Sequence, residues 1–320
     1  MQKSAVPVLI SSVAAWALLL VCSRALLIGL GLDPWMFTFL QMGSGGLFFL
    51  VISWGADSGI SALRRVDTWL IGIFRIGTAA LLMASLIHVD VLRAGFFGSI
   101  GVPMSALAVC FLFDRRPPGL EMPGHALLVV GSVTTAFGFE GGIENPAILL
   151  LILSQICVLC ASLLAERHPH MTALAPRTRL RLTGIVLLLT AIGFGGWRVL
   201  QSAAGLAAGA DIAELMRPEL WAAGLGLGIT LRGLATYLGF RAAALAGTHN
   251  YLAAVLVLPM VGAGLECFVA WYGYGAWPVL GSLQLGAGGL IVCGGMLVIY
   301  ARKRAAKTTP GREERPGGSE

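Results

Sequence analysis

The sequence predicts an all-α integral membrane protein of ten transmembrane helices arranged as two inverted five-helix repeats. Three observations carry that prediction. Hydrophobic residues fill 57% of the 320 positions and charged residues only 12%, against roughly 25% charged in soluble domains. Apolar segments follow one another through short polar connections, most of them long enough for a hydrocarbon core of about 30 Å. A Pro-Met pair inside an apolar run recurs about half a chain later, in Ser99–Met104 (SIGVPM) and Val255–Met260 (VLVLPM).

The segments are Val6–Leu30, Trp35–Trp54, Trp69–Ile87, Val91–Phe113, Gly124–Phe139, Ala147–Ala165, Thr183–Leu200, Leu220–Arg241, Asn250–Tyr272 and Val279–Tyr300, the fifth being short. Backbone groups in lipid must be paired within their own segment, so these are helices. Lys3 followed by an apolar run has the look of a signal peptide. No small-x-small cleavage site follows it and Arg24 interrupts its end, so it reads as an uncleaved first helix. The expected units are an N-terminal repeat over 1–144, a C-terminal repeat over 145–304 and a polar, disordered tail over 305–320. Gln201–Glu219 reads as a short amphipathic helix on the outer surface.

Basic residues decide orientation. With the N-terminus inside, sixteen Lys and Arg fall in inner loops and tails, and only Arg93, Arg198 and Arg217 fall outside. Both termini are then cytoplasmic. The net charge of +6 comes from helix ends, which argues for a lipid surface and against nucleic acid. Cys157 and Cys160 have a metal or redox spacing, but they sit mid-helix without a His or acidic partner and read as apolar filler.

The two Pro-Met runs are offset by 156 residues, the difference between 103 and 259. At that offset Arg93 falls on His249, so each copy opens with a polar elbow before its proline helix. A shift of five helices inverts the second copy across the membrane. Proline deletes one helical hydrogen bond, so Pro103 and Pro259 are candidate kinks, with His249 and Asn250 as candidate gating residues of the inner elbow. Proline is common in membrane helices, which is the plain alternative.

Ionisable groups inside a membrane cost about 2.5–3.5 kcal/mol each, which makes them candidates for function. Arg75 lies near the middle of the third segment and Arg232 near the middle of the eighth. Those segments correspond across the repeat, so the two cations are candidates to face one cavity and hold a carboxylate or phosphate. The alternative pairs one of them with Glu266 as a structural lock. Glu266 is a candidate for proton coupling. Trp16, Gln41 and Tyr237 are further candidates for the cavity or for the interfacial belt. Arg24 lies about 27 Å along its helix, where snorkelling to the interface accounts for it. No GxSxG, HExxH or clustered His/Asp set appears, so no enzyme, metal or cofactor is expected.

The repeat over Ala79–Phe113 and Tyr237–Tyr300, with its mid-membrane prolines and the glycine-rich run Gly281–Gly295, resembles the ten-helix EamA-type branch of the drug/metabolite transporter superfamily. That family usually has a Glu ending the fourth and ninth helices; here the first copy offers Asp114 and the second offers none. The resemblance implies a cavity lined by helices 1, 3, 4, 6, 8 and 9 and ATP-independent alternating access in a bacterial inner membrane. It implies export of an amino-acid-like or similar small amphipathic solute, with the paired arginines pointing to exchange or uptake of an organic anion as the alternative. A lipid-modifying enzyme or a non-transporting subunit stands behind both. The expected partners are the substrate, the bilayer, a coupling proton or counter-solute, and a second copy of the chain in a homodimer.

Overall fold

Proline and short polar residues start most of the helices. Pro34, Pro146, Pro176 and Pro218 each open one, where the missing N–H has no intrahelical partner to lose. Asp33 accepts from Met36 N at 2.7 Å, Asp90 from Arg93 N at 2.7 Å and Asn145 from Ala147 N at 2.8 Å, each capping the helix that follows it. The resulting helices are α1 (Ala5–Gly29), α2 (Pro34–Ile52), the one-turn α3 (Ile60–Leu63), α4 (Val66–Ser85), α5 (Val91–Gly98), α6 (Gly101–Phe113), α7 (Met122–Phe137) and α8 (Pro146–Arg167). They continue with α9 (Pro176–Ala203), α10 (Pro218–Leu227), a five-residue π segment (Gly228–Arg232), α11 (Gly233–Ala246), α12 (Leu258–Trp271) and α13 (Ser282–Thr308). This is a computed structural model, and it describes residues 5–57, 60–113, 119–168, 175–205, 212–246, 254–273, 277 and 281–308.

Seven of the described helices are long and apolar enough to cross a membrane: Ala5–Gly29, Pro34–Ile52, Val66–Ser85, Val91–Ala108, Pro146–Ala165, Pro176–Ala203 and Ser282–Arg302. The fifth, eighth and ninth predicted segments are also helical, as α7, as α10–π–α11 and as α12. These three are shorter or interrupted. Bulky apolar side chains point outward along the bundle, among them Ile10 (65% exposed), Val51 (62%) and Leu285 (63%). An apolar exterior over whole helix lengths suits lipid, so the described residues, helical throughout their regular structure, are those of a multi-pass membrane protein.

Hydrocarbon tails are as apolar as leucine, so helices in a bilayer hold together through close packing. The closest approaches are made by glycine. Where α2 meets α9, a methyl group on Gly46 would lie 2.9 Å from the carbonyl oxygen of Gly184, and one on Gly184 would lie 2.8 Å from that of Gly46. Gly124 of α7 and Gly294 of α13 approach each other in the same reciprocal way, at 2.8 Å both ways. The other extensive contacts join α4 to α8 and α1 to α11. The largest buried cluster, which includes Leu27, Met36, Phe37, Met83, Leu86, Val91 and Leu151, gathers the α1–α2, α4–α5 and α7–α8 connections at the end of the bundle away from Ala5. We call this the far end.

Three expectations are revised here. Pro103 and Pro259 do not kink continuous helices. The chain leaves helical geometry at Ser99–Ile100 and again at Leu256–Val257, at matching positions to within one residue, and each proline sits in the first turn of the helix that follows. A ring with no N–H fits a first turn, where no carbonyl is left waiting for it. The tail expected to be disordered from 305 continues α13 to Thr308, because Ala, Lys and Arg favour helix and cations suit a helix C-terminus. Residues 309–320 lie outside the described residues. The described part of the predicted outer amphipathic helix is the last turn of α9, a 3₁₀ turn, Ile212–Met216, and the first residues of α10.

Candidate functional site

One stripe of α1 carries Ser12, Trp16 and Ser23, spaced so that all three fall near one helix face. Gln41 of α2 is fully buried and donates from Nε2 to Ser23 Oγ at 3.0 Å. Its Oε1 accepts two bonds from Arg232, from Nε at 3.0 Å and from Nη2 at 2.5 Å. The guanidinium carbon lies 5.4 Å from the centroid of the Trp16 ring, in cation–π range. Arg232 is only 6% exposed.

Local backbone makes this possible. The π segment ends at Arg232 and shifts it out of α-helical phase, a geometry that recurs at functional sites. Gly45 leaves room for the arginine stem, since a methyl group there would come 3.0 Å from Arg232 Cγ. Gly228 lets α2 pass so closely that a methyl group on it would meet Gln41 O at 2.6 Å and collide with Ser44 Oγ. Two buried donors on the α1 stripe, Ser12 Oγ and Trp16 Nε1, have no hydrogen-bond partner among the described residues.

Three of the candidates read from sequence therefore converge: Arg232, Gln41 and Trp16. Tyr237 lies further along α11, half-buried against Met42, Phe49, Ile76, Ala79, Leu187 and Ala191. Arg75 of α4 lines a crevice of about 10 Å³ with Ile71, Thr183, Val186 and Leu187, room for about one water. Arg75 faces α9, and Arg232 faces α1 and α2.

Glu266 of α12 pairs with neither of them. Its Oε1 lies 3.4 Å from Arg24 Nη1 and accepts from Val91 N, the first residue of α5, at 3.1 Å. Arg24 also donates from Nε to Val89 O at 3.1 Å. Beside this lock Arg93 pairs with Asp90 at 3.3 Å. Arg24 thus bridges α1 to the α4–α5 connection and to α12 rather than only snorkelling to the interface, because that connection folds over the far end and supplies Val89 O while α12 supplies Glu266. The lock continues along the α5–α12 contact. Val91 packs where a methyl group on Gly262 would meet it at 2.8 Å, and Pro259 fills the space beside Gly95 at 2.6 Å from the corresponding point. Pro103 is buried at the start of α6. His249 and Asn250 lie outside the described residues.

Sequence reading missed one further buried cluster. Glu121, 2% exposed, takes Arg302 Nε at 3.0 Å and His125 Nε2 at 3.4 Å on the same oxygen, tying α7 to α13. The i, i+4 spacing of Glu121 and His125 is the signal that was available for it.

The class of protein defined by this fold is a multi-pass helical bundle with a buried polar centre and broken helices. No family model matches the chain, and no curated protein matches it. A chain described only as a protein crystal structure shares the fold with a TM-score of 0.61 at 17% identity, covering 95% of this chain and 100% of that one. Likeness at that identity establishes the fold alone.

Proposed function

We propose that the chain is a secondary transporter of the EamA-like, ten-helix kind, moving a small amphipathic metabolite by alternating access. The observation that carries the reading is the pair of matched helix breaks, at Ser99–Ile100 and Leu256–Val257, each followed by a proline. Broken helices facing each other across a repeat are the device by which such bundles build a central site and two gates. The packing supports it. Counting α5–α6, α10–π–α11 and α12 as the fourth, eighth and ninth crossings, the contacts keep their pattern when the two halves are exchanged. The second crossing packs on the seventh, the fourth on the ninth and the fifth on the tenth, while third-on-sixth is mirrored by first-on-eighth.

In this reading the Arg24–Glu266 lock closes the far end, and the far end is the outer side, because sixteen Lys and Arg then lie inside against three outside. The bacterial inner membrane, export of an amino-acid-like solute and coupling to a proton or counter-solute complete the proposal. The test is counterflow in proteoliposomes preloaded in turn with amino acids, nucleosides and organic anions. Accumulation of one labelled class against its preloaded partner supports transport. Purified, correctly inserted protein that exchanges none of them overturns it.

A further inference from the structure

We propose that Arg232, Trp16 and Ser12 bind the carboxylate of a small organic monoanion, with Gln41 as the residue that positions the guanidinium. The inference rests on the transporter reading for the ligand's being cargo. Its chemistry comes from the site.

Charge is the first argument. Several buried or half-buried ions of the bundle meet their opposites: Arg24 with Glu266, Arg93 with Asp90, Arg302 with Glu121 and Arg217 with Glu214. Arg198, 9% exposed, donates to Gln201 Oε1 at 3.1 Å and lies over Trp35, but the Asp33 carboxylate is close enough to feel its charge. Arg232 meets a neutral amide oxygen, and no salt bridge reaches it among the described residues. A buried cation without a counter-ion is costly. Its Nε and Nη2 edge is turned to Gln41, and Nη1 makes no hydrogen bond among the described residues.

Donor bookkeeping is the second and is independent of charge. Many hydroxyls in this bundle bond back to the preceding turn, as Thr38 to Pro34 O, Ser44 to Leu40 O, Thr135 to Gly131 O, Thr183 to Arg179 O and Thr190 to Val186 O, and others, such as Ser154 to Thr78 O, reach a neighbouring helix. Ser12 is 0% exposed and makes no such bond. One turn further along α1, Trp16 Nε1 is also buried without an acceptor, on the ring that Arg232 overlies. The centre of the bundle therefore holds an excess of donors and one positive charge. A carboxylate is acceptor-only, offers about four lone-pair sites and matches guanidinium geometry. One cation suits one negative charge. Leu19, Leu231 and Leu238, which pack with Trp16 and Ala15, give the ligand's body an apolar wall.

The experiment uses the full chain in nanodiscs of zwitterionic lipid, so that no anionic headgroup competes. Thermal protection and direct titration are measured with benzoate, its neutral isostere benzamide, and inorganic phosphate. Protection by benzoate but not by benzamide is expected. Arg232→Gln is expected to weaken benzoate about 100-fold, and Ser12→Ala and Trp16→Phe about tenfold each. Ser12→Ala alters a single polar atom with almost no change in packing, so it stays informative if Arg232→Gln folds poorly; Trp16→Phe also trims the ring under Arg232 and is read beside it. Equal protection by benzoate and benzamide, protection by phosphate alone, or undiminished benzoate binding in Arg232→Gln each overturns the inference.

Counterflow of the same proteins separates the two claims. Charge-dependent benzoate binding without any counterflow leaves the site standing and removes the transporter. Counterflow of a neutral solute that survives Arg232→Gln leaves the transporter and removes the carboxylate site.

Discussion

Two arginines inside this bundle, one half-buried and one buried, are handled in opposite ways. Arg24 at the far end is neutralised: a carboxylate from α12 and a carbonyl from the α4–α5 connection hold it, and the same carboxylate caps α5. Arg232 in the middle is only positioned, by an amide that carries no charge. A neutralised ion pair joins helices and has a reason to exist without a ligand. A positioned but uncompensated cation has none, and that difference separates a structural lock from a binding site.

The comparison breaks most sharply at the glycine that lets the central cluster form. Gly228→Ala places a methyl group in collision with Ser44 and Gln41, and overpacking of a tight contact costs about 3 kcal/mol. Gly226→Ala, with nothing within 4 Å of its added methyl, is the control. Thermal unfolding in detergent should show a large loss for the first and almost none for the second; equal losses would mean that the π segment does not press on α2.

Arg24→Ala comes next. It strands Glu266, 6% exposed, as a buried carboxylate. Breaking a fully buried pair costs 3–5 kcal/mol, and because Arg24 is 23% exposed about 2 kcal/mol is expected. Adding Glu266→Gln should recover about half of that loss. A double-mutant cycle with no coupling would remove the lock.

Gln41 sharpens the contrast from the other side. Gln41→Leu strips the acceptor from Arg232 and should cost about 1.5–3 kcal/mol, the worth of hydrogen bonds to a charged group. Gln41→Glu turns the central arginine into a neutralised one like Arg24. It should hold stability near wild type while abolishing anion protection, and retained anion protection in that variant would break the distinction drawn here. The smallest effect belongs to Ser12→Ala. A hydroxyl with no partner contributes little to the fold, so unliganded stability should stay within about 0.5 kcal/mol. A loss above that range would reveal a structural partner for Ser12.

The helical, membrane-spanning character was legible from composition and segment length, and so was the identity of the central residues. Arg232, Gln41 and Trp16 stood out as polar or amphipathic groups in apolar helices, where each needs a reason. Their convergence was not legible, because the face a helix turns inward depends on its neighbours, and the π segment that rephases Arg232 has no mark in sequence beyond Gly228 and Gly233. The partners of Arg24 were not legible for a related reason: counting 1.5 Å per residue gives depth along an axis but says nothing of a connection folding over the helix end. The prolines were legible as positions of weakness; that the chain breaks two to four residues before each one was not, since the ring forbids one hydrogen bond without specifying where the preceding helix stops.

By itself the sequence determined what lipid enforces: which segments are helical, and which few polar side chains are carried into the bundle. Those are local consequences of hydrogen bonding and transfer free energy, and they need no neighbour to be stated. Tertiary structure alone decided which charges meet. Glycine contacts at Gly46–Gly184 and Gly124–Gly294 and the passage of α2 over Gly228 set the helices' rotation and separation. Ion pairing changes over a few ångströms, so that rotation gave Glu266 to Arg24 and left Arg232 with an amide.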